Sequence, residues 1–476
     1  MNEIRFSHKV VIVFSLLVTV LIAILPMSLS PYWNGTMIYM ADKQQYDRLG
    51  DALLKGHLYI DNNDIDPALE AMENPYDSDE RGRTGVKYHW DEVYYNHHYY
   101  MYFGIVPTII LFIPFKLIMG QALLSYQATQ IFASFTMTGI FYLFYILCKE
   151  YFSQLPFSFY LLLSMVFSIL SIGYSISAPA LYCTAIVSAV CLMVWSIIFF
   201  LKGAWLEKDN KNSTLYLLVG AFLGALAFGC RPPVALANII VVAVVFQIYK
   251  NNNSADSDKL NKLIGIIVPY LIIGILLMMY NYARFDNVFE FGQSYQLTLV
   301  DQHDYGRFEN SFNIKRILLS TFLNFYAKSE FDDSFPFIWF NGVFFNFPIL
   351  LLSFRIFSKD ISLVLKQKNL YFIAFLMLIA PAIISMFDVH WTPFLLERYH
   401  LDFYYLFCID SFIAIAIWLN IISENRKKVL LCCITFLAFA VLAVEFLFFC
   451  IPYDGSYTAC YPEVLTEFYK GLRFGL

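Results

Sequence analysis

Charged residues are scarce in this chain, since Asp, Glu, Lys and Arg make up 14% of its 476 residues. A soluble domain of this length needs far more charge to cover its surface. The formal net charge of -5 is small, and no dense basic stretch of the kind that binds nucleic acid is present. The composition therefore argues against a soluble globular protein and gives no indication of a nucleic-acid partner.

Metal-binding cysteine motifs are also lacking. Nine cysteines are present, but none has CxxC or CxxxH spacing, so we expect no metal site and no cofactor, although the sequence leaves a divalent metal open. Cys450 ends the last apolar run and Cys460 lies ten residues further on, across a segment long enough to close a disulfide. A disulfide and two free thiols are both compatible with this spacing.

Long apolar runs account for most of the chain, of which 59% is hydrophobic. A membrane-spanning helix needs about 20 mostly apolar residues. We therefore predict an all-α polytopic membrane protein, one integral domain over residues 1–476, with about 11 spans and a range of 10 to 12. The predicted spans are 10–30, 128–147, 156–174, 180–201, 215–231, 233–249, 263–283, 336–354, 371–388, 401–421 and 429–451.

One further apolar run, 103–119, contains Pro107 and Pro114 and leaves the topology open. Lys and Arg collect in cytoplasmic loops. If 103–119 does not cross, every compact basic cluster falls on one side of the membrane, so we predict a juxtamembrane or re-entrant segment. The N-terminus is then cytoplasmic. Three regions become extracytoplasmic: a first loop at 31–102, a second at 284–335 and the tail at 452–476.

The first extracytoplasmic loop is the richest in chemistry. Its start, YDRLGDALLKGHLYID, has the apolar spacing of a helix lying on the membrane surface. Its end, WDEVYYNHHYYMYFG, sets aromatic rings beside carboxylates, as a sugar site requires. A solvated loop with an aromatic belt is the simpler alternative. We take Asp42 and Asp91 as candidate catalytic carboxylates, and Asp77, Glu92 and Trp90 as candidate substrate contacts.

Three arginines lie at predicted helix ends on the same side. Arg231 stands in GCRPPVAL and Arg398 in LLERYHLDF, directly before Tyr399, while Arg284 ends another span. Arg suits bidentate contact with phosphate, whereas a snorkelling Arg near a span end is common. We favour phosphate binding for Arg231 and Arg398, with Tyr399 beside them, and leave both readings open for Arg284.

These motifs, in this order and on one side of the membrane, resemble the GT-C superfamily of membrane glycosyltransferases. The resemblance is to the bacterial branch related to protein O-mannosyltransferases and lipid A aminoarabinose transferases. It rests on Asp42, the surface-helix pattern, WDEVYYNHHYYMYFGIVP, RPP at 231–233, FEFGQSYQ at 289–296 and ERY at 397–399. No WWDYG-like sequence of the oligosaccharyltransferases occurs.

The resemblance implies transfer of a sugar from a polyprenyl-phosphate donor to an extracytoplasmic glycan, lipid or protein. It assigns the role of base or site organiser to Asp42 or Asp91, and contact with the lipid phosphate to Arg231 and Arg398. A lipid-linked saccharide flippase and a polysaccharide polymerase or ligase are the alternatives. Against a flippase, the intramembrane acids Asp410 and Glu445 have no basic partner at helical spacing in their own spans.

Overall fold

The computed structural model describes most of the chain and is almost entirely helical. The described residues are 6–40, 42–60, 65–208, 213–250, 256–303, 313–328, 335–339, 342–391 and 396–472. The first helices are α1 (Phe6–Met27), α2 (Gln45–Leu54), α3 (Pro67–Glu70), α4 (Ser78–Thr84), α5 (Thr108–Met119), α6 (Ser125–Glu150), α7 (Phe157–Leu170), α8 (Gly173–Ser177), α9 (Leu181–Lys208) and α10 (Thr214–Phe228).

The second half of the chain continues in the same way. Its helices are α11 (Pro232–Lys250), α12 (Asp256–Phe285), α13 (Ile314–Tyr326), α14 (Val343–Asn346), α15 (Lys359–Gln367), α16 (Tyr371–Trp391), α17 (Tyr404–Ile421), α18 (Glu424–Phe449), α19 (Tyr457–Cys460) and α20 (Pro462–Leu472). In the described part of the chain, 3-10 helices lie between them at Gln293–Tyr295, Pro348–Phe357 and Glu397–Asp402, and a further 3-10 turn, Leu236–Ile240, lies inside α11.

Among the described residues, eight helices are long and apolar enough to cross a membrane, namely α1, α6, α9, α11, α12, α16, α17 and α18. The prediction of an all-α membrane protein is therefore confirmed. The other three predicted spans overlap shorter apolar helices, α7, α10 and Pro348–Phe357, and the last overlap covers only 348–354. A 3-10 helix rises about 2.0 Å per residue against 1.5 Å for an α-helix, so the last of these covers more depth than its length suggests.

The core of the bundle surrounds α17. Every residue from Tyr404 to Ile417 is buried, and the stacked rings of Phe144 and Phe412, 3.8 Å apart, join α6 to α17. At the periphery, 17% of the most apolar stretch of α12 is buried, against 83% in α17. Such an exposed apolar helix is stable when lipid covers it, so the difference indicates which helices face the bilayer.

The two polar loops fold together at one end of the bundle, here called the loop end. Strand β1 (Val93–Tyr95) pairs antiparallel with β2 (His98–Tyr100) through a turn at Asn96 and His97, both in the left-handed region that such two-residue turns need. The second loop runs alongside, with Leu297 N donating to Glu92 O at 3.0 Å. The buried Arg81 donates to Pro75 O at 2.6 Å and to Thr298 O at 2.5 Å, which fastens the two loops.

The segment 103–119 forms α5, which has 12 residues and is about 18 Å long at 1.5 Å per residue, well short of the bilayer core. Lys116 near its end pairs with Asp47 at 2.9 Å and Asp51 at 2.6 Å on α2. The chain enters α5 tightly against α10, since Val106 N donates to Gly229 O at 3.0 Å. Gly104 has no room for a side chain there, because a Cβ would collide with the Gly229 carbonyl.

The tail after α18 returns to the start of the first loop. Tyr126 donates to Gly455 O at 2.8 Å, and Tyr39 donates to Asp454 Oδ2 at 3.0 Å. Cys450 and Cys460 are free thiols in this arrangement, so of the two alternatives the structure has the one without a disulfide.

Candidate functional site

Arg231 lies at the loop end, where α10 gives way to α11. Two prolines follow it and start α11 at once, so its backbone position is fixed. Its Nε donates to both carboxylate oxygens of Asp402, at 2.8 and 2.9 Å, and Asp402 is fully buried. Arg231 is therefore already neutralised by a carboxylate of the chain.

A second carboxylate adjoins this pair. Asp388, near the end of α16, is buried and lies close enough to Asp402 for the two carboxyl groups to interact. Two acidic side chains therefore adjoin the one guanidinium of Arg231. Burial raises the pKa of Asp402, and the Arg231 charge opposes that rise.

Arg398 has a different environment. Its guanidinium lies over the Tyr182 ring at 4.1 Å and beside the Tyr399 ring at 5.5 Å. Within the described part of the chain, no carboxylate or carbonyl accepts a hydrogen bond from it. The side chain is half-buried and cation–π contact holds it in place. Its five N–H donors are thus left for a ligand or water.

Asp91 faces Arg398 across Tyr182. The Tyr182 hydroxyl donates to Asp91 Oδ2, and Gln296 Nε2 lies 3.5 Å from Oδ1. Burial raises the pKa of Asp91, while the Tyr182 hydroxyl, the Arg398 charge and the neighbouring Trp90 indole lower it. The backbone of Asp91 is left-handed (φ 59°), a strained conformation that clusters at functional sites.

Asp42 lies one turn before α2 and is completely buried. Its Oδ1 accepts from Ser125 Oγ at 2.9 Å, and no described residue bonds to its Oδ2. Burial raises the pKa of Asp42 to about 7, although the Ser125 hydroxyl and the backbone amides of Gln44 and Leu181 lower it. A carboxylate with a vacant oxygen and a pKa near neutrality has the properties of a general base.

Aromatic rings connect these groups into one site. Tyr399 lies between the two arginines, with Arg231 at 4.8 Å from its ring. The charges of Asp42 and Arg231 both act on the Tyr46 hydroxyl of α2. The charges of Arg398 and Asp91 both act on the Tyr39 hydroxyl. We call the group of Asp42, Asp91, Arg231 and Arg398 the loop-end site.

Two predicted contacts have other tasks. Burial would raise the pKa of Glu92, but hydrogen bonds and charges from His89 and Arg48 lower it; Arg48 on α2 donates to it at 2.7 Å. Glu92 therefore anchors α2 to the hairpin. Asp77 caps α4 by accepting from the Asp79 and Glu80 amides at 2.9 and 3.1 Å.

Arg284, for which both readings stood open, is held by the protein itself. It donates to Met101 O at 3.1 Å and to Asn281 Oδ1 at 2.9 Å, and its guanidinium lies over the Tyr280 ring at 3.9 Å. This arrangement secures the end of the first loop to α12. It differs from a snorkelling side chain, because the guanidinium is buried.

Sequence reasoning missed several partners of the site. Asp402 stands four residues after Arg398 at the start of a span, and an acid at that position is itself a signal of function or pairing. Tyr182 ends the short turn SAPALY, where the sequence offers no signal that it meets Asp91. Ser125 is one serine among many, and only the fold brings it to Asp42.

The described residues contain no group of three or more His, Cys, Asp or Glu side chains placed to hold a metal ion. No protein-family model, curated protein or solved structure matches this chain.

Proposed function

We propose that this chain is a membrane glycosyltransferase that moves a sugar from a polyprenyl-phosphate donor to an acceptor at the loop end. The observation that carries the proposal is that two loop carboxylates and two arginines lie at the loop end, where one arginine is paired with a carboxylate and the other rests on aromatic rings. Phosphate binding calls for a cation without a partner, which Arg398 supplies. Glycosyl transfer calls for a base that is not consumed by an ion pair, which Asp42 supplies.

In the proposed reaction, the acceptor hydroxyl oxygen attacks the anomeric carbon of the donor sugar. The bond from that carbon to the phosphate oxygen breaks, and the lipid phosphate leaves with the bonding electrons. Asp42 Oδ2 takes the acceptor proton, and Arg398 holds the phosphate, while Arg231, paired with Asp402, supports the Tyr399 ring beside it. Charge that develops on the leaving phosphate is thereby stabilised by the fixed Arg398 cation.

Asp91 is proposed as the organiser of the site. Its Oδ2 already accepts from the Tyr182 hydroxyl and its Oδ1 faces the Gln296 amide, which makes the carboxylate a poor acceptor for a further proton. It fixes the Tyr182 ring under Arg398 and so holds the guanidinium in position. Tyr182, Tyr399 and Trp90 bound the space in which the sugar would lie.

We also propose that the loop end faces away from the cytoplasm, in a cell membrane, with the N-terminus inside and the tail outside. Cysteines placed at the exposed His97 and, at the opposite end, at Lys428 test this with an impermeant thiol reagent on intact cells. We expect the His97→Cys variant to be labelled and the Lys428→Cys variant to be protected. Labelling at Lys428 would overturn the orientation.

The decisive experiment supplies purified protein in nanodiscs with a panel of radiolabelled polyprenyl-phosphate sugars and cell-envelope acceptors. We expect donor-dependent transfer, and a loss of about 10²- to 10⁴-fold in rate for Asp42→Asn. Asp91→Asn should cost less, since the tyrosine can still meet an amide oxygen. If Asp42→Asn and Asp91→Asn both keep the parent rate, the site assignment is wrong.

A further inference from the structure

A row of aromatic side chains crosses the outside of the folded loops and has no task in the proposed transfer. It consists of Tyr59, His98, Tyr95, Tyr295, Tyr76 and His303, each half-buried, and we call it the aromatic ribbon. Tyr59 and His98 stack at 4.1 Å, Tyr95 and Tyr295 lie at 4.5 Å, and Tyr76 and His303 at 4.7 Å. Tyr295 joins the last two pairs, since its ring is 5.5 Å from that of His303.

The β-hairpin produces this arrangement through its two-residue period. Tyr95 pairs with His98 in the register, so both side chains lie on one face of the hairpin. Tyr94 and Tyr99 lie on the other face and are buried against Leu69 and Leu297. The opposite face also buries Val93 and Tyr100 against Phe285, and Tyr59, Tyr95 and Tyr295 pack on that cluster. These rings therefore have a packing role on their inner side, while their outer side stays partly exposed.

The ribbon ends at a polar cavity formed jointly by the two loops. The cavity has a volume of about 490 Å³ and is lined by Asn74, Asp77, Ser78, Asp79, Leu299, Val300 and Asp301. Asp301 connects cavity and ribbon, because it accepts from Asn74 at 2.8 Å and contacts the His303 ring at 3.0 Å. The size is that of a small-molecule site.

The two features together have the chemistry that recognises carbohydrate. Ring faces pack on the C–H faces of sugars, while carboxylate and amide groups bond to hydroxyls. An interfacial aromatic belt is the alternative, but belts are built from Trp and Tyr. Two ribbon members are histidines, and the neighbouring His97 is 68% exposed and lies 3.3 Å from Glu70. Polar groups of this kind belong in water.

We propose that the aromatic ribbon and its cavity bind a saccharide chain made of neutral or amino sugars. Asp77, Asp79 and Asp301 around the cavity repel acidic sugars, so uronic-acid polymers are disfavoured. Binding itself does not require the transfer chemistry. That the bound chain is the acceptor of transfer rests on the proposed function.

The test measures binding of soluble hexasaccharides to the full chain in nanodiscs. The probes are maltohexaose, cellohexaose, chitohexaose and its deacetylated form, with hexagalacturonate as the acidic comparison. We expect at least one neutral or amino hexasaccharide to bind, and hexagalacturonate to bind more weakly than it. No binding by any of the four, or preference for the acidic probe, overturns the inference.

Three variants locate the binding. Tyr295→Ala should weaken it about 3- to 10-fold, the range expected for one lost aromatic contact, whereas Tyr295→Phe keeps the ring and should stay near the parent. Tyr249→Ala, which removes a 76% exposed ring on α11 outside the loops, is the matched control and should have no effect. Equal affinity of Tyr295→Ala and the parent contradicts a site on the ribbon.

Two further measurements separate this inference from its neighbours. An environment-sensitive dye on a His98→Cys variant, with Cys432 and Cys433 replaced by serine, should report water; a hydrocarbon signal would make the ribbon a membrane belt. Arg398→Ala should lose donor use but bind the hexasaccharide normally. Intact donor turnover without saccharide binding overturns the ribbon site alone, and binding without turnover overturns the proposed transferase alone.

Discussion

The two arginines of the loop-end site occupy opposite electrostatic environments although one tyrosine lies between them. At the Arg231 corner, the guanidinium donates to both oxygens of the buried Asp402 carboxylate, and the buried Asp388 adjoins this pair. At the Arg398 corner, the cation rests on the Tyr182 ring, and no described residue accepts a hydrogen bond from it. Both stood as equal candidates for phosphate contact on sequence grounds.

The difference in pairing indicates a structural role for Arg231 and a ligand-binding role for Arg398. A buried cation without a partner is costly, so Arg231 needs Asp402 whether or not substrate is present. A half-buried cation kept by aromatic contact retains its donors for an incoming anion. The Arg231 corner therefore fixes the junction of α10, α11 and the Glu397–Asp402 helix, and the Arg398 corner is where a phosphate would be received.

The largest expected effect is on stability, and it separates the corners directly. Asp402→Ala should lower the free energy of unfolding by about 3–5 kcal/mol, because Arg231 stays buried without its acceptor. Asp91→Ala, at the other corner, should cost much less, since Arg398 is half-exposed and water can reach it. Heat-induced unfolding of both variants in nanodiscs gives the comparison.

A double variant controls for side-chain loss at the Arg231 corner. Arg231→Met combined with Asp402→Leu removes both charges and keeps apolar volume, so it should recover most of the stability lost by Asp402→Ala. Equal destabilisation by Asp402→Ala and Asp91→Ala would mean that the two corners do not differ in the way argued.

The second effect is on donor use. Arg398→Ala should raise the donor concentration needed for half-maximal transfer about 10- to 100-fold, the range for hydrogen bonds to a charged group. The donor concentration that Arg398→Lys needs should fall between those of the parent and Arg398→Ala, because Lys keeps the charge and loses the planar fork. The readout is transfer rate against polyprenyl-phosphate-sugar concentration, with unfolding unchanged.

Arg284 is the internal control for this measurement. Its guanidinium is buried and donates to Met101 O and Asn281 Oδ1 within the protein, so Arg284→Lys should affect stability and leave the dependence on the sugar donor as in the parent. If Arg398→Lys and Arg398→Ala both behave like the parent, Arg398 does not contact the donor, and phosphate binding at the Arg398 corner is excluded.

Periodicity and hydropathy predicted the bundle well, because spanning helices are dictated by long apolar runs. They predicted α2 as a surface helix, and proline content with charge placement gave α5 as a short segment. Helices α7 and α10 are shorter than the apolar runs that predicted them, because a run does not show where a turn stops the helix. Residues 156–174 are one run, yet the chain turns after Leu170.

The candidate site was predicted in outline, while its roles came from contacts that no local pattern contains. Asp42, Asp91, Arg231 and Arg398 all lie at the loop end, and their roles there remain a prediction. Glu92 and Asp77 look equally suitable in the sequence, but an ion pair from α2 and a helix cap claim them. Which acid is paired depends on partners far away in the chain, such as Arg48 for Glu92.

The smallest effect is on the pH dependence of the transfer rate, and it concerns Asp42. This carboxyl group lies near Tyr46, which is also near Arg231. As a base, Asp42 acts in its ionised form, and its folded-state pKa is about 7. The transfer rate should therefore rise about tenfold per pH unit below pH 7 and level off above it. The rate should be followed from about pH 5 to 9 at saturating donor.

A matched variant decides whether this inflection belongs to Asp42. Ser125 lowers the pKa of Asp42 by donating to Oδ1, so Ser125→Ala should move the inflection to higher pH. A neutral hydrogen bond of about 1 kcal/mol corresponds to roughly 0.7 pH unit. Arg398→Lys keeps the charge at the Arg398 corner and should leave the pH of the inflection unchanged. If Ser125→Ala does not move the inflection, or if Arg398→Lys does move it, the base is Asp91, whose carboxylate lies near Arg398. The Arg398 corner would then both bind the phosphate and accept the proton.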